Sequence, residues 1–297
     1  MAGLRGGGGG RARARQGALY DGLDRYPVMP PHAFARIVRD KQTLNIIYQI
    51  IEPPLTKKEQ EQRDEIMDIF IRSLTANIEE IDSNPEAYVR TAMDKVIKSY
   101  SMKINKKSKS KLFYYLRRDL IGYGKMDVLM NDVNVEDISL DGTNVPIFAY
   151  HRKFESVETT CVWATDEELE SYVIKLAQRC GKHISVAEPL LDATLMDGSR
   201  IVMKLGHEIS TRGSAFCIRR FKDDPFSPAD IVAFRTMSSL MVAYLWIAFQ
   251  NEVPMLFVGG TASGKTTTLN AMCIFIPWQM KIVSIESTRE VNIPQPV

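Results

Sequence analysis

The residues Gly259-Gly260-Thr261-Ala262-Ser263-Gly264-Lys265-Thr266-Thr267 combine glycines, a lysine and hydroxyls at a spacing that can do chemistry. Gly259, Gly264, Lys265 and Thr266 fit the pattern G-x-x-x-x-G-K-[ST]. Glycines let the backbone curl so that successive N–H groups converge on phosphate oxygens. A helix starting at Lys265 would present its positive N-terminal end to the same anion. Lys265 would reach the β- and γ-phosphates, and the Thr266 hydroxyl would ligate Mg2+. The predicted ligand is therefore ATP with Mg2+. An apolar run before the loop, Pro254 to Val258, and a helix-forming stretch to Ile274 supply the strand–loop–helix setting that the motif requires.

Two further groups of residues could serve the same site. "SIESTRE" places Glu286 and Glu290 at the end of a second apolar run, "KIVSIE". Ligands of open α/β sheets bind beyond the C-terminal ends of strands. A carboxylate there could orient and deprotonate an attacking water, or be an exposed loop residue. Arg200, Arg212, Arg219 and Arg220 form an arginine-rich stretch, and guanidinium groups grip phosphate in a bidentate way. In an alternating strand Arg219 and Arg220 face opposite sides, so at most one of the pair serves a given site. Surface or interdomain ion pairs are the alternative. His32, His151, His183 and His207 have no metal-ligand spacing and read as structural, and the four cysteines form no C-x-x-C pair.

Several elements must position these residues. The first 24 residues, rich in glycine and arginine, read as a disordered tail. Residues 25–125 read as a mainly helical block, after an extended proline-rich start and a strand near "LNIIYQII". Thr56 and Glu59 form a capping box, followed by an apolar stripe at Ile66, Ile69, Phe70, Leu74 and Ile78. Asn84-Pro85 opens a second helix, and a third ends near Gly122. Residues 126–222 read as a mixed α/β domain with a hairpin around Asp141-Gly142 and a helix from Thr165 to Gly181. Residues 223–297 open with a capped helix at Ser227-Pro228 and a buried helix at Leu240 to Gln250. They go on with two buried parallel strands, Pro254 to Val258 and Lys281 to Glu286.

Composition sets broad limits. The 297 residues are 45% hydrophobic and 25% charged with a net charge of +2, ordinary values for a globular chain of two or three domains. The longest apolar run, Leu240 to Phe249, is well short of the ~20 residues a membrane span needs. Five lysines in Lys103 to Lys111 read as a solvated surface. A nucleic-acid translocase would want stacking aromatics among them, and Phe113, Tyr114 and Tyr115 read as helix core, so no nucleic acid is expected.

On "FSPADIVAF", "MVAYLWIAFQ", "LFVGGTASGKTTTLNAMCIFIP", "KIVSIESTRE", "EDISLDGTNVPIFAYHRKFES" and "YQIIEPPLTKKE", the chain resembles the ATPases of type II and type IV secretion and type IV pilus systems. The likeness is strongest to their archaeal branch, which includes the archaellum motor ATPase, and spans residues 25–297. It implies a hexameric ring, cytoplasmic and peripheral to a membrane platform protein. In such a ring a helical and an α/β N-terminal part precede a RecA-like P-loop domain, and ATP hydrolysis drives pilin assembly or export. It implies that residues 259–267 are the Walker A loop and that Glu290, with Glu286 second, is the general base. It also implies that Arg200, Arg212 and Arg219 reach the nucleotide, in part across a subunit boundary. Ser287 stands where the family's acidic box carries an aspartate. Family members continue into a Walker B strand and a histidine box, so a chain ending at Val297 is expected to be hydrolysis-incompetent as written. A non-hydrolysing nucleotide-binding or regulatory ring subunit is the alternative.

Overall fold

The structure, a computed structural model, describes residues 19–73, 84–221, 225–260, 263–286 and 291–292. The described strands form a nine-stranded sheet in the order β1-β2-β3-β6-β5-β4-β9-β8-β7. Its members are β1 (Tyr20–Met29), β2 (Ala33–Asp40), β3 (Ile46–Ile51), β4 (Val135–Leu140), β5 (Pro146–His151), β6 (Glu155–Val162), β7 (Leu190–Thr194), β8 (Arg200–Lys204) and β9 (Ala215–Arg219). The chain divides into two compact units, one of Met1–Leu191 with Val202–Ile218 and one of Asp192–Ile201 with Arg219–Val297.

In the first unit, β1, β2 and β3 form an antiparallel meander, with Ile37 opposite Tyr48, and β3 then pairs parallel with β6. The expected tail of residues 1–24 thus gives way to a strand at Tyr20, and the block expected to be mainly helical begins with three strands. Alternation explains it: Ala33, Ala35 and Ile37 of β2 are buried while the residues between them are partly exposed, a period of two.

Three helices follow: α1 (Lys57–Ser73), α2 (Pro85–Ser99) and α3 (Lys106–Leu120). Ile66 and Phe70 of the α1 stripe pack with Val89, Met93 and Val96 of α2 and Leu112 and Leu116 of α3. Leu74 and Ile78 lie outside the described residues. The capping box forms as expected, the Thr56 N–H donating to Glu59 Oε2 at 2.8 Å and the Glu59 N–H to Thr56 Oγ1 at 3.3 Å. Glu59 also accepts from Ser108 Oγ at 2.6 Å and from Lys111 Nζ at 3.2 Å. These bonds, the serine's first, hold its carboxyl down at about 2. Lys111 is thereby taken inward, while Lys109 pairs with Asp94 at 2.7 Å on the surface. A short helix α4 (Asp127–Asn131) leads into β4, and α5 (Asp166–Arg179) starts at its Thr165 cap and stops before Gly181 at φ 67°. Trp163 lies in this core beside Tyr172 and Phe216.

A buried polar knot ties the meander to the α/β part. Asp132, 2% exposed, accepts from Tyr26 Oη at 2.7 Å, Tyr48 Oη at 2.6 Å and the Asn134 N–H at 2.9 Å. The Lys153 N–H donates to His151 Nδ1 at 3.1 Å, so the neutral ring carries its proton on Nε2, 2.9 Å from Tyr26 Oη. Burial lowers the His151 pKa and favours that neutral ring. Burial and Asp132 push both tyrosines far above the ordinary phenol value.

The second unit contains the helices α6 (Pro228–Ala233), α7 (Ser239–Gln250) and α8 (Lys265–Cys273). Ser227 and Asp230 form a full capping box on α6. Ile231, Val242, Ala271 and Met272 make the buried cluster, with Trp246 stacked on Phe275 at 5.2 Å. Two expectations fail here. The helix expected to be buried exposes Leu240, Met241, Tyr244 and Ile247, and keeps only Val242 and Ala248 buried. The runs 254–258 and 281–286 are not strands, and Leu256 and Ile285 are 88% and 97% exposed. A parallel strand is stable only with ladder partners on its edges and cover on both faces. Among the described residues neither run has a ladder partner.

Two outcomes check this packing. Asp132→Ala leaves two buried hydroxyls without their acceptor, which costs about 1–3 kcal/mol each, and chemical unfolding should show a loss in that range or above. Glu59 has a depressed folded pKa, so its contribution is present above the ordinary glutamate value of 4.5 and is lost as pH falls towards about 2. The gap in unfolding free energy between the wild type and Glu59→Gln should therefore be full at neutral pH and close across that acid window.

Candidate phosphate-binding site

Gly264 sits at the N-cap of α8 with φ 84° and ψ 17°, left-handed backbone that L side chains avoid. The turn it makes swings the chain from the loop into the helix. Helix formation is secured from the other end, where Ala271 and Met272 are buried in the cluster of the second unit. The loop closes on itself: Ser263 Oγ donates to the Gly260 carbonyl at 2.9 Å, and Lys265 Nζ donates to the same oxygen. A Cβ on Gly259 would displace Ser263 Oγ from its present position. A Cβ on Gly260 or Gly264 would meet nothing within 4 Å, so open space lies beside both.

That geometry fits a polyphosphate. The first-turn N–H groups of a helix lack intrahelical acceptors, and here they follow an open, glycine-lined curl. With ATP held there, Lys265 would exchange the Gly260 carbonyl for a phosphate oxygen, and Thr266 and Thr267 would occupy the first turn of α8 beside it. Thr266 carries the hydroxyl suited to Mg2+. Thr261 and Ala262 lie outside the described residues.

Asn292 lies beside the same helix. The Asn292 N–H donates to Asn270 Oδ1 at 3.1 Å, and the Val291 N–H donates to Glu286 Oε2 at 2.9 Å. At 1.5 Å per residue, Asn270 is about 7.5 Å along the axis from Lys265. Glu286 thus accepts a backbone N–H in this structure. Glu290 and Ser287 lie outside the described residues. Asn270 was not legible as a contact residue in the sequence, since nothing in a short helix marks which amide will catch a distant backbone N–H.

The arginines divide. Arg200 is held by Asp192 through two bonds, Nε to Oδ1 at 3.2 Å and Nη2 to Oδ2 at 2.6 Å. That is the ion-pair alternative, realised. Arg212 belongs to the first unit, where its carbonyl lies so close to Gly142, at φ 133°, that a Cβ there would clash with it. Arg219 is exposed at the end of β9 and Arg220 is half-buried beyond it, as alternation requires.

Residues 154–297 match the family model described as "Type II/IV secretion system protein", across the loop, α8 and the acidic segment. Those residues are similar to that family. It is a family of P-loop ATPases. Among relatives, an uncharacterized protein of Methanocaldococcus jannaschii, MJ0900, is 34% identical over 259 residues, 86% of this chain and 46% of its own length. A second from the same archaeon, MJ1288, is 41% identical over 164 residues, 55% of this chain and 65% of its own. The chain thus spans less than two thirds of the length of these relatives. The VirB11 ATPase of the Brucella suis type IV secretion system, solved with sulphate, overlaps 57% of this chain and 56% of its own at 21% identity and a TM-score of 0.32. Among the described residues no helix is long and apolar enough to cross a membrane.

Gly264→Ala adds no clash and only backbone strain, about 1 kcal/mol or somewhat more. Chemical unfolding should show a loss of that size, roughly fivefold in the folding equilibrium constant.

Proposed function

We propose that this chain is the nucleotide-binding part of a motor ATPase subunit of the secretion and type IV pilus class, of the archaeal kind. The observation that carries the reading is the left-handed Gly264 at the head of α8, with Lys265 folded back over the glycine curl. The family supports a ring of copies, taken here as a hexamer, acting at the cytoplasmic face of a membrane beside a polytopic platform protein. Pilin assembly, protein export and archaellum rotation are all outputs of that class.

In this reading Lys265 neutralises the β- and γ-phosphates, and Thr266 holds Mg2+, which screens the developing charge. Glu290 orients the attacking water and takes its proton, with Glu286 as the supporting carboxylate. Arg219 and Arg212 are the arginines read as reaching the nucleotide. Arg200 joins them only by leaving Asp192, so that ion pair opposes its recruitment.

A second reading has a specific observation in its favour. Residues 254–258 and 281–286 flank the loop and the carboxylates, and neither is in a ladder. Among the described residues no ladder flanks the carboxylates, and Asn292 is held by Asn270. A subunit that binds nucleotide without turnover fits that arrangement.

A fluorescent ATP analogue with magnesium, followed by phosphate-release assays, separates the two. The wild-type chain should bind, and Lys265→Ala should lose at least about tenfold in affinity, or ~1.4 kcal/mol. Turnover that disappears in Glu290→Gln supports the motor. Binding without turnover in either protein supports the second reading. Wild-type binding no tighter than that of Lys265→Ala overturns both.

A further inference from the structure

The first unit contains a cleft of about 690 Å³ that no part of the nucleotide site uses. It lies among the β1–β2 turn, α2 and α3. Its walls carry four cations, Arg90, Lys106, Lys109 and Arg117, against two carboxylates, Glu86 and Asp94. Lys109 and Asp94 cancel as a 2.7 Å pair. Arg90, Lys106 and Arg117 then face Glu86 alone, which leaves two positive charges in the cleft.

The two arginines are held in place without being saturated. The Arg90 guanidinium lies over the face of Phe113, 4.2 Å from its centroid, a contact that fixes the plane and leaves the N–H groups on its rim available. Among the described residues no oxygen accepts from it. Arg117 has its nearest carboxylate oxygens at 3.7 Å, from Glu86, and 3.8 Å, from Asp127, both beyond hydrogen-bond length. Its Nη1–H donates instead to the Met29 sulfur at 3.5 Å, a weak acceptor. Asp127 is buried, and burial raises its pKa, so it is a poor counter-ion for Arg117. Two guanidinium forks with unmet donors, in a cleft of small-ligand size, suit an anion that accepts several hydrogen bonds. Phosphate has the oxygens and the charge that such forks match.

We propose that this cleft is a second anion site, which takes a phosphate-bearing ligand between Arg90 and Arg117 with Lys106 at its rim. The ligand is either a free phosphate compound or the headgroup of an anionic lipid. His32, whose pKa burial lowers, lines the same wall and bonds to Ser110 Oγ at 3.0 Å, so it contributes a neutral polar ring there.

The test uses the full chain carrying Lys265→Ala, so that the glycine loop contributes little. Inorganic pyrophosphate is titrated by calorimetry, and cosedimentation is measured with phosphatidylglycerol vesicles against phosphatidylcholine vesicles. Saturable pyrophosphate binding, weakened at least tenfold by adding Arg90→Gln and Arg117→Gln, supports a site for a free phosphate compound. Binding to the anionic vesicles alone, lost in the same variant, supports the lipid headgroup. Lys106→Gln, on an exposed side chain that cannot upset the fold, should weaken either by a smaller factor. Absence of both forms of binding, or binding indifferent to all three substitutions, overturns the proposal.

Discussion

A single buried carboxylate holds the first unit together. Asp132 sits where β1, β3 and the α4–β4 connection meet, and through Tyr26 it reaches His151 on β5. A charge placed there costs several kcal/mol unless donors surround it. Two phenols and a backbone N–H provide that shell, and the phenols resist ionisation because they are buried and the carboxylate is beside them. Each partner therefore has one role and one geometry. That restriction fixes how the antiparallel meander joins the rest of the sheet, which β3 enters by a short parallel pairing with β6.

The second unit is held by different means. Its cluster is helical, built from α6, α7 and the far end of α8. The phosphate-binding curl is therefore anchored from behind, by Ala271 and Met272, and Phe257 of the apolar run before it packs against the same cluster. Lys265 rests on the Gly260 carbonyl, an internal partner that a phosphate must displace. The Arg200–Asp192 pair imposes the same kind of competition on the other side chemistry of this unit. Both contacts keep charge satisfied in the absence of an anion, at the cost of some affinity for one.

How much of this was legible follows from the range over which each signal acts. The capping residues Thr56, Asn84, Thr165 and Ser227 and the stop at Gly181 were readable because a cap acts within four residues. The glycine loop was readable because its geometry and its chemistry demand the same residues. β1 and β2 were missed because Pro27, Pro30 and Pro31 outweighed a short alternation. The fate of Leu240 to Gln250 was not local at all: an apolar helix states that it wants cover, and only the fold states whether cover arrives. The Asp132 knot joins residues more than 100 positions apart in sequence, as Tyr26 and Asp132 are, so no window could have shown it.

The chain has three tryptophans, and their placement makes each unit optically distinct. Trp163 lies in the core of the first unit, while Trp246 stacks on Phe275 and Trp278 is largely exposed, both in the second. A buried indole emits further to the blue than a hydrated one. The short-wavelength side of the intrinsic emission therefore belongs to the first unit and the long-wavelength side to the second. The spectrum of an unlabelled sample can then follow the two units separately, with no dye and no engineered probe.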